Sequence, residues 1–366
     1  MTIGIDASRA NLRNKTGVEW YGWHIIRELA RLDTKNRYRL YSWEPLREDL
    51  ADLPDNFENV EVPTRRAWPH TALSSELKRE PVEALFVPSH VVPRVHPPKT
   101  VVTVHDLGFR QFRKNYSFYH YLSLQLGTRW SVKWASDVLV PSQAVADDVR
   151  RTYASPGRKV QVVPNGVDAA AFHQPAAQVI IDVLKRHRIA DPYLLFLGRL
   201  EERKNVVRII EAFYRLKDSG LFGGQLVLAG NPGEGYHDIK ALIGKQRDRD
   251  DIIQPGYVAD ADRAALMFGA RAFVFPSLFE GFGIPILEAF AAGTPVLTSN
   301  RGATAEIAGN AALLVDPENV TAIHQGIERL LSDTELTETL TARGAGRVQD
   351  FSWRKTAEHI HAILTA

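Results

Sequence analysis

The chain contains no cysteine and only two methionines among 366 residues. The first absence excludes disulfides, thiolate metal sites and a cysteine nucleophile together, and it agrees with a reducing compartment. Long apolar runs are missing too, since no stretch approaches the roughly 20 apolar residues that span a bilayer as a helix. The amino terminus, Met1-Thr-Ile-Gly-Ile-Asp-Ala-Ser8, has neither the charged region nor the apolar region of a secretory leader. The expectation is a cytoplasmic protein, with any membrane contact peripheral and at the inner face. Charge of one sign is also scarce, with 45 Lys and Arg against 43 Asp and Glu, a net of +2. That balance hides a tilt: residues 1–176 carry 24 cations and 19 anions, or +5, and residues 177–366 carry 21 and 24, or −3. A basic first half favours an anionic partner such as a lipid headgroup or a phosphorylated acceptor. No nucleic-acid recognition motif accompanies it, so nucleic acid is not an expected partner.

What is present is the composition of an ordinary globular protein, 45% hydrophobic and 24% charged, with enough length for two cores. Short β-type runs alternate with helical patterns, which predicts an α/β protein with parallel sheets. Ile3-Gly-Ile5, 37–43, 84–87, 100–104, 138–140 and 160–163 read as strands of a first sheet. Trp20 to Leu32 reads as an amphipathic helix with Trp20, Trp23, Ile26, Leu29 and Ala30 on its apolar face. Pro164-Asn-Gly-Val-Asp168 is a turn signal, and the aperiodic stretch 169–177 after it marks the domain connection. A second alternating series begins at Tyr193-Leu-Leu-Phe-Leu197, so the similarity of the halves is architectural. A final segment, 352–364, has Ser352 as N-cap and an apolar stripe of Trp353, Ala357, Ile360 and Leu364.

The most informative stretch is Pro276-Ser-Leu-Phe-Glu280-Gly-Phe-Gly-Ile-Pro285-Ile-Leu-Glu288-Ala-Phe-Ala-Ala-Gly293-Thr-Pro-Val-Leu297. It follows the apolar run Ala272-Phe-Val-Phe275 and reads as strand, glycine-spaced loop, short helix, strand. Pro285 fits the first helical position and Gly293 the residue past its end. Such a loop lies at the carboxyl end of a parallel strand, where open α/β sheets bind ligands. Gly281 and Gly283 permit close backbone approach, and the helix N-terminus favours an anion. Glu280 and Glu288 flank that anion site. As acceptor-only groups they suit paired hydroxyls, the layout of a phosphate held between two polyols. By themselves they read equally well as a solvated loop acid and an acid complementing the helix dipole.

Other positions carry weaker signals. Arg199 and Lys204 bracket a strand-to-helix loop, where cations neutralise a diphosphate or are simply solvated. His105-Asp106 ends a buried run, as a crevice-facing pair or a local cap. Gly17, in Arg13-Asn-Lys-Thr-Gly-Val-Glu19, reads first as a turn glycine. The aromatic and basic segment 110–134 reads first as core packing with a basic face, although a membrane-surface face uses the same mixture. Gly230-Asn-Pro-Gly-Glu-Gly235 lacks the dinucleotide spacing. Asp260-Ala-Asp262 resembles a metal-ligating pair, but capping of the following helix is the expected use. His359 and His361 point to different helix faces, and no Gly-x-Ser-x-Gly elbow occurs.

Taken together, Leu197-Gly-Arg199-Leu-Glu-Glu-Arg-Lys204-Asn205, Gly256-Tyr-Val258, the 276–289 stretch and Gly293-Thr-Pro-Val resemble a retaining glycosyltransferase of family four, bacterial and mannosyltransferase-like, over nearly the full chain. The resemblance implies the GT-B fold, two Rossmann-like doubly wound domains facing a central cleft. The implied domains are an acceptor-binding domain at 1–172, with the helix at 352–366 packing back on it, and a nucleotide-sugar-binding domain at 173–351. It implies that Arg199 and Lys204 hold the donor diphosphate, Glu288 the ribose and Glu280 the donor sugar. Phe282, Gly283 and Ile284 would meet sugar or phosphate through their backbone, Tyr257 and Val258 the base, and His105 the sugar near its reacting centre. Gly17 matches only in part, because Thr16 stands where many members have a second glycine. No metal and no cofactor are implied beyond a GDP- or UDP-linked donor, with GDP-mannose favoured, and the acceptor is a saccharide or lipid-linked saccharide of surface polysaccharide synthesis. Nucleotide-sugar epimerases, phosphorylases and a catalytically silent nucleotide-sugar-binding protein share much of this resemblance.

Overall fold

The computed structural model describes every residue except 65–66, 90, 155–158, 173 and 245–248. Its contacts fall into two compact units, Met1–Gly166 with Ser352–Ala366, and Val167–Phe351. Within the 169–177 connection, residue 173 lies outside the described residues, Ala169–Phe172 forms a 3-10 turn, and a helix begins at Ala177.

The first unit is built on a parallel sheet of β1 (Thr2–Asp6), β2 (Arg37–Ser42), β3 (Phe57–Glu61), β4 (Ala84–Val87), β5 (Lys99–Thr103), β6 (Asp137–Val140) and β7 (Val160–Val162). Its order is β3-β2-β1-β4-β5-β6-β7. The central strands are apolar runs buried almost throughout, which is what a sheet covered on both faces requires. The second unit repeats the plan with β8 (Tyr193–Leu197), β9 (Gln225–Ala229), β10 (Ile252–Gly256), β11 (Ala272–Phe275), β12 (Val296–Ser299) and β13 (Leu313–Val315), in the order β10-β9-β8-β11-β12-β13. Strand order reverses between β1 and β4 in one sheet and between β8 and β11 in the other. Such switch points open a crevice at the carboxyl ends of the strands.

The first helix runs from Gly17 to Leu32, three residues earlier than its apolar pattern suggests. Thr16 starts it, with its backbone N–H donating to the Glu19 carboxylate at 3.0 Å. Its buried face is Tyr21, Gly22, Ile25, Ile26 and Leu29. Trp20 and Trp23 are only half-buried, because they pack edge to face against each other with Lys15 and Arg27 over their rings.

The last helix, Trp353–Thr365, belongs to the first unit, and Ser352 caps it by accepting from the Lys355 N–H at 3.2 Å. Trp353, Ala357, Ile360 and Leu364 are all buried, with Trp353 stacked on His24 at 4.5 Å. Gly166 is required here by proximity: a Cβ on it would lie 2.1 Å from the Trp353 nitrogen. The turn reading of 164–168 therefore misses its main constraint, a close backbone approach.

The far end of this helix is tied through His361, whose Nε2 lies 2.8 Å from Asp33 Oδ2. Asp33 also accepts from the Lys35 N–H at 2.8 Å, the Asn36 side chain at 2.7 Å and the Tyr38 hydroxyl at 2.7 Å. Burial pushes its pKa up, but these donors outweigh it and hold the carboxyl well below the usual carboxylate range. A depressed folded pKa gives stability that is present above the unfolded value of about 3.9 and lost as pH falls through the folded one. Asp33→Ala should thus destabilise the first unit by about 2 kcal/mol at neutral pH. In thermal melts the gap to the parent should narrow as pH drops below about 3.9; a gap constant with pH would contradict this account.

Candidate active site

In the second unit, two loops meet at the switch point. The first leaves β8 at Leu197, turns through Glu202–Lys204 and enters the helix Val206–Asp218 through Asn205, whose φ of 64° is left-handed. Asn205 is buried, and its amide donates to the carbonyls of Pro276 at 2.9 Å and Pro317 at 2.6 Å. The Leu278 N–H donates to the Arg203 carbonyl at 2.9 Å. These bonds fix the β8 loop to the β11 loop.

They also bring Lys204 to Glu280. The Lys204 ammonium donates to Glu280 Oε1 and sits 4.9 Å over the Phe275 ring, and Arg203 Nη1 stands 3.5 Å from Glu280 Oε2. Arg203 in turn bonds Glu201 at 2.6 Å. The two paired side chains are 10% and 8% exposed. Burial pushes the Lys204 pKa down, and the Glu280 charge pulls it back up. Arg199, earlier in the same loop, is exposed and makes no ion pair among the described residues.

Downstream of Glu280, Phe282 is buried with its ring edge-on to Phe351 at 5.7 Å. Gly283, at φ 110°, is the cap of the helix Ile284–Ala291 and needs the freedom of glycine. Pro285 is the second helical residue rather than the first, and Ile284 is half-buried. The helix closes at Gly293, φ 72°, whose N–H donates to the Phe290 carbonyl at 3.0 Å. Tyr257 is exposed beyond Gly256, and Val258 is buried beside it.

Glu288 is buried within this helix and bonded by Arg263 through Nη2. Arg263 also reaches Asp260 at 3.1 Å. Burial pushes the Glu288 carboxyl above its ordinary value, partly offset by the Arg263 charge. Sequence reading passed over Arg263; the signal was its place three residues after Asp260, a helical charge pair. The capping role expected of Asp260 and Asp262 is corrected, because the helix Asp260–Gly269 starts at Asp260 itself with Ala259 at the cap position. Asp262 instead binds Arg186 at 2.6 Å and His187 at 2.8 Å.

In the first unit, His105 is buried just beyond β5, with Nε2 2.8 Å from the Pro88 carbonyl and its ring edge-on to Tyr21 at 4.8 Å. A carbonyl only accepts, so Nε2 carries the proton. Gly17 is the first residue of its helix and has no positive φ, which corrects the turn reading; open space lies where a Cβ would point. The reading of 110–134 as core packing with a basic face holds in part, since Phe112 is buried and Tyr116, Tyr121, Leu124 and Trp130 pack against the core of the first unit. Its helix, Phe118–Trp134, buries only Thr128, Ser131 and Val132, and leaves Phe118, Tyr119, Leu126 and Trp134 exposed.

The Glu288 pair yields a test with a definite sign. An acid with a raised folded pKa contributes stability at low pH that is lost as pH rises, and removing Arg263 raises that pKa further. Arg263→Ala should cost about 3 kcal/mol at neutral pH by leaving a buried carboxylate unpaired. In chemical denaturation the deficit should shrink toward acid pH, and one that grows there would refute the pairing.

Comparison with known proteins identifies the family and the fold. Residues 183–347 match the family described as Glycosyl transferases group 1, and residues 15–171 match Glycosyltransferase Family 4. The chain is 29% identical over 266 residues to an O-antigen chain mannosyltransferase B from Escherichia coli, a match covering 72% of this chain and 70% of that protein. Its fold is similar to the crystal structure of WaaG, a glycosyltransferase involved in lipopolysaccharide biosynthesis, with a TM-score of 0.76 at 18% identity over 100% of both chains. It is likewise similar to Alr3699/HepE from Anabaena in complex with UDP-glucose, with a TM-score of 0.73 at 17% identity over 100% of this chain and 99% of that one. Two Rossmann-like parallel-sheet units, the two family matches and these likenesses agree: the chain belongs to the family-four glycosyltransferases and has the GT-B fold.

Proposed function

We propose that the protein moves mannose from GDP-mannose, with retention of anomeric configuration and without a metal, onto a saccharide or lipid-linked saccharide of a surface polysaccharide. The observation that carries this reading is the Lys204–Glu280 pair at the β8–β11 switch point, beside a helix N-terminus. Cleaving the bond from the anomeric carbon to the diphosphate leaves negative charge on the phosphate. Lys204, the exposed Arg199 and the N–H groups that open the Ile284 helix are suited to stabilise that charge in place of a metal. Glu280 offers acceptor oxygens for sugar hydroxyls once Lys204 turns to the phosphate, and Glu288 offers the same to a ribose. Phe282, Gly283 and Ile284 would present backbone groups to sugar or phosphate, Tyr257 and Val258 would border the base, and His105 and Gly17 would serve the sugar side from the first unit.

In this reading neither glutamate is a general base. The departing phosphate oxygen takes the acceptor proton on the face from which it leaves, which retains the configuration. Similarity to the Escherichia coli O-antigen chain mannosyltransferase B supports the lean to mannose. A UDP-linked hexose is the second reading, favoured by the UDP-glucose complex of the Anabaena protein.

Lys204→Ala and Glu280→Ala should each lower turnover more than tenfold, a loss of about 1.4 kcal/mol or more of transition-state stabilisation, with the native fold retained by circular dichroism although the melting temperature falls because a buried partner is left unpaired. Full activity in both variants would remove the assignment. Turnover should persist in a chelator, and its loss there would return Asp260 and Asp262 to consideration. Release of free sugar or an epimer without acceptor would favour a hydrolase or epimerase instead.

A further inference from the structure

The helix Asp260–Gly269 carries its charged side chains, Asp260, Asp262 and Arg263, at its start. Asp262 turns to the body of the second unit, where it accepts from Arg186 at 2.6 Å and His187 at 2.8 Å at the end of the helix Ala177–His187. Near the other end, the Leu266 and Met267 carbonyls accept from the hydroxyls of Tyr193 at 2.7 Å and Thr294 at 2.6 Å. The helix is thereby fixed at both ends, and Arg263 leaves it from a fixed point.

From there the Arg263 guanidinium bridges two carboxylates of unequal depth. Nη1 donates to Asp260 at 3.1 Å and Nη2 donates to Glu288 Oε2. The Asp260 side chain is 57% exposed, that of Arg263 22% and that of Glu288 8%. The three descend from solvent to interior with the cation between the acids. Arg263 Nε is buried and bonds nothing, a local penalty of the kind that functional sites carry. The apolar packing of this helix is done by Ala265, Leu266 and Met267 instead.

Glu288 is left with one oxygen committed and one open. Arg263 takes Oε2, and among the described residues no donor takes Oε1. A carboxylate only accepts, so the open oxygen suits a hydroxyl, and it loses that capacity if the acid takes a proton or swings away. Burial favours the protonated acid, and Arg263 opposes this more strongly than the more distant Asp260 charge reinforces it. The planar guanidinium, itself gripped by Asp260, also fixes the direction of the carboxylate.

We propose that Arg263 is a positioning residue for nucleotide recognition: it fixes the Glu288 carboxylate with Oε1 open to a ribose hydroxyl of the donor, and Asp260 holds Arg263 in turn. This rests on the donor site of the proposed function and adds to it the residue that makes Glu288 selective for a ribose-containing nucleotide.

The test is isothermal titration calorimetry of the full chain at neutral pH with GDP and UDP and with their 2′,3′-dideoxy forms. The nucleotide that the parent binds should bind about tenfold more tightly as the riboside, the worth of one hydrogen bond to a charged acceptor. Arg263→Ala should weaken the riboside about tenfold and the dideoxy form little, bringing the ratio to about one. Arg263→Lys returns a cation and should restore part of the ratio. Asp260→Asn breaks only an exposed pair, so it should lower the ratio about threefold with the melting temperature near that of the parent. In turnover assays Arg263→Ala should raise KM for the nucleotide sugar far more than it lowers kcat.

Equal weakening of riboside and dideoxy form in Arg263→Ala would make the arginine merely structural and overturn the proposal. Should that variant fail to fold, an unchanged ratio in Asp260→Asn and Arg263→Lys would overturn it alone. A parent that binds both forms equally would overturn it too and remove the ribose from Glu288, while leaving the roles of Lys204 and Glu280 standing. A parent that binds neither GDP nor UDP would overturn the proposed function together with this proposal, so the two failures are distinct.

Discussion

The Lys204 ammonium is buried over the Phe275 ring and held by the Glu280 carboxylate. Neither charge is tolerable alone at such depth, since an unpaired buried ion costs several kcal/mol (about 3 to 5). Two loops must therefore be delivered together, one from β8 and one from β11, at the point where strand order reverses. Asn205 performs that delivery, bonding the carbonyls of Pro276 and Pro317 from a left-handed backbone position. The pair also explains how a cation is kept in a dry site before a substrate arrives. In the proposed function an incoming diphosphate would replace Glu280 as the partner of Lys204 and free the carboxylate for hydroxyl groups.

Much of this was legible in the sequence because buried parallel strands leave unbroken apolar runs. Ala84–Val87, Tyr193–Leu197 and Ala272–Phe275 have the bounds that their composition gives. The strands that were missed are edges. β3 buries only Val60, and β13 is three residues long with only Val315 buried, so neither leaves a hydrophobic signature. On the first helix Ile26, Leu29 and Ala30 are buried as their spacing predicts, whereas Trp20 and Trp23 are only half-buried. Tyr21 is the aromatic that is fully buried, with its hydroxyl 3.0 Å from Thr103, while the tryptophans lie at the margin under cations.

At the site, residue types and loop order were readable, and partners were not. Nothing in the spacing joins Lys204 to Glu280, 76 residues apart, or Arg263 to Glu288, 25 apart. The first pairing comes from strand order, which brings β8 beside β11, and the second from the two helices on either side of β11 in the chain, Asp260–Gly269 and Ile284–Ala291, meeting through these side chains. The helix at 118–134 is half legible: its aromatic content suggests core, which Tyr121, Leu124 and Trp130 bear out, and only the fold reveals that Tyr119, Leu122 and Leu126 share an exposed face with Arg129 and Lys133.

In the proposed function the β8–β11 crevice of this glycosyltransferase holds the diphosphate and sugar of a nucleotide sugar through Lys204 and Glu280. Its most direct test is thermal denaturation across GDP- and UDP-linked sugars, since a ligand that binds only the native state raises its melting temperature. The rise with GDP-mannose should exceed the rise with GDP, and that difference should be lost in Glu280→Ala. No shift with any nucleotide sugar, or the full difference retained in Glu280→Ala, would contradict it.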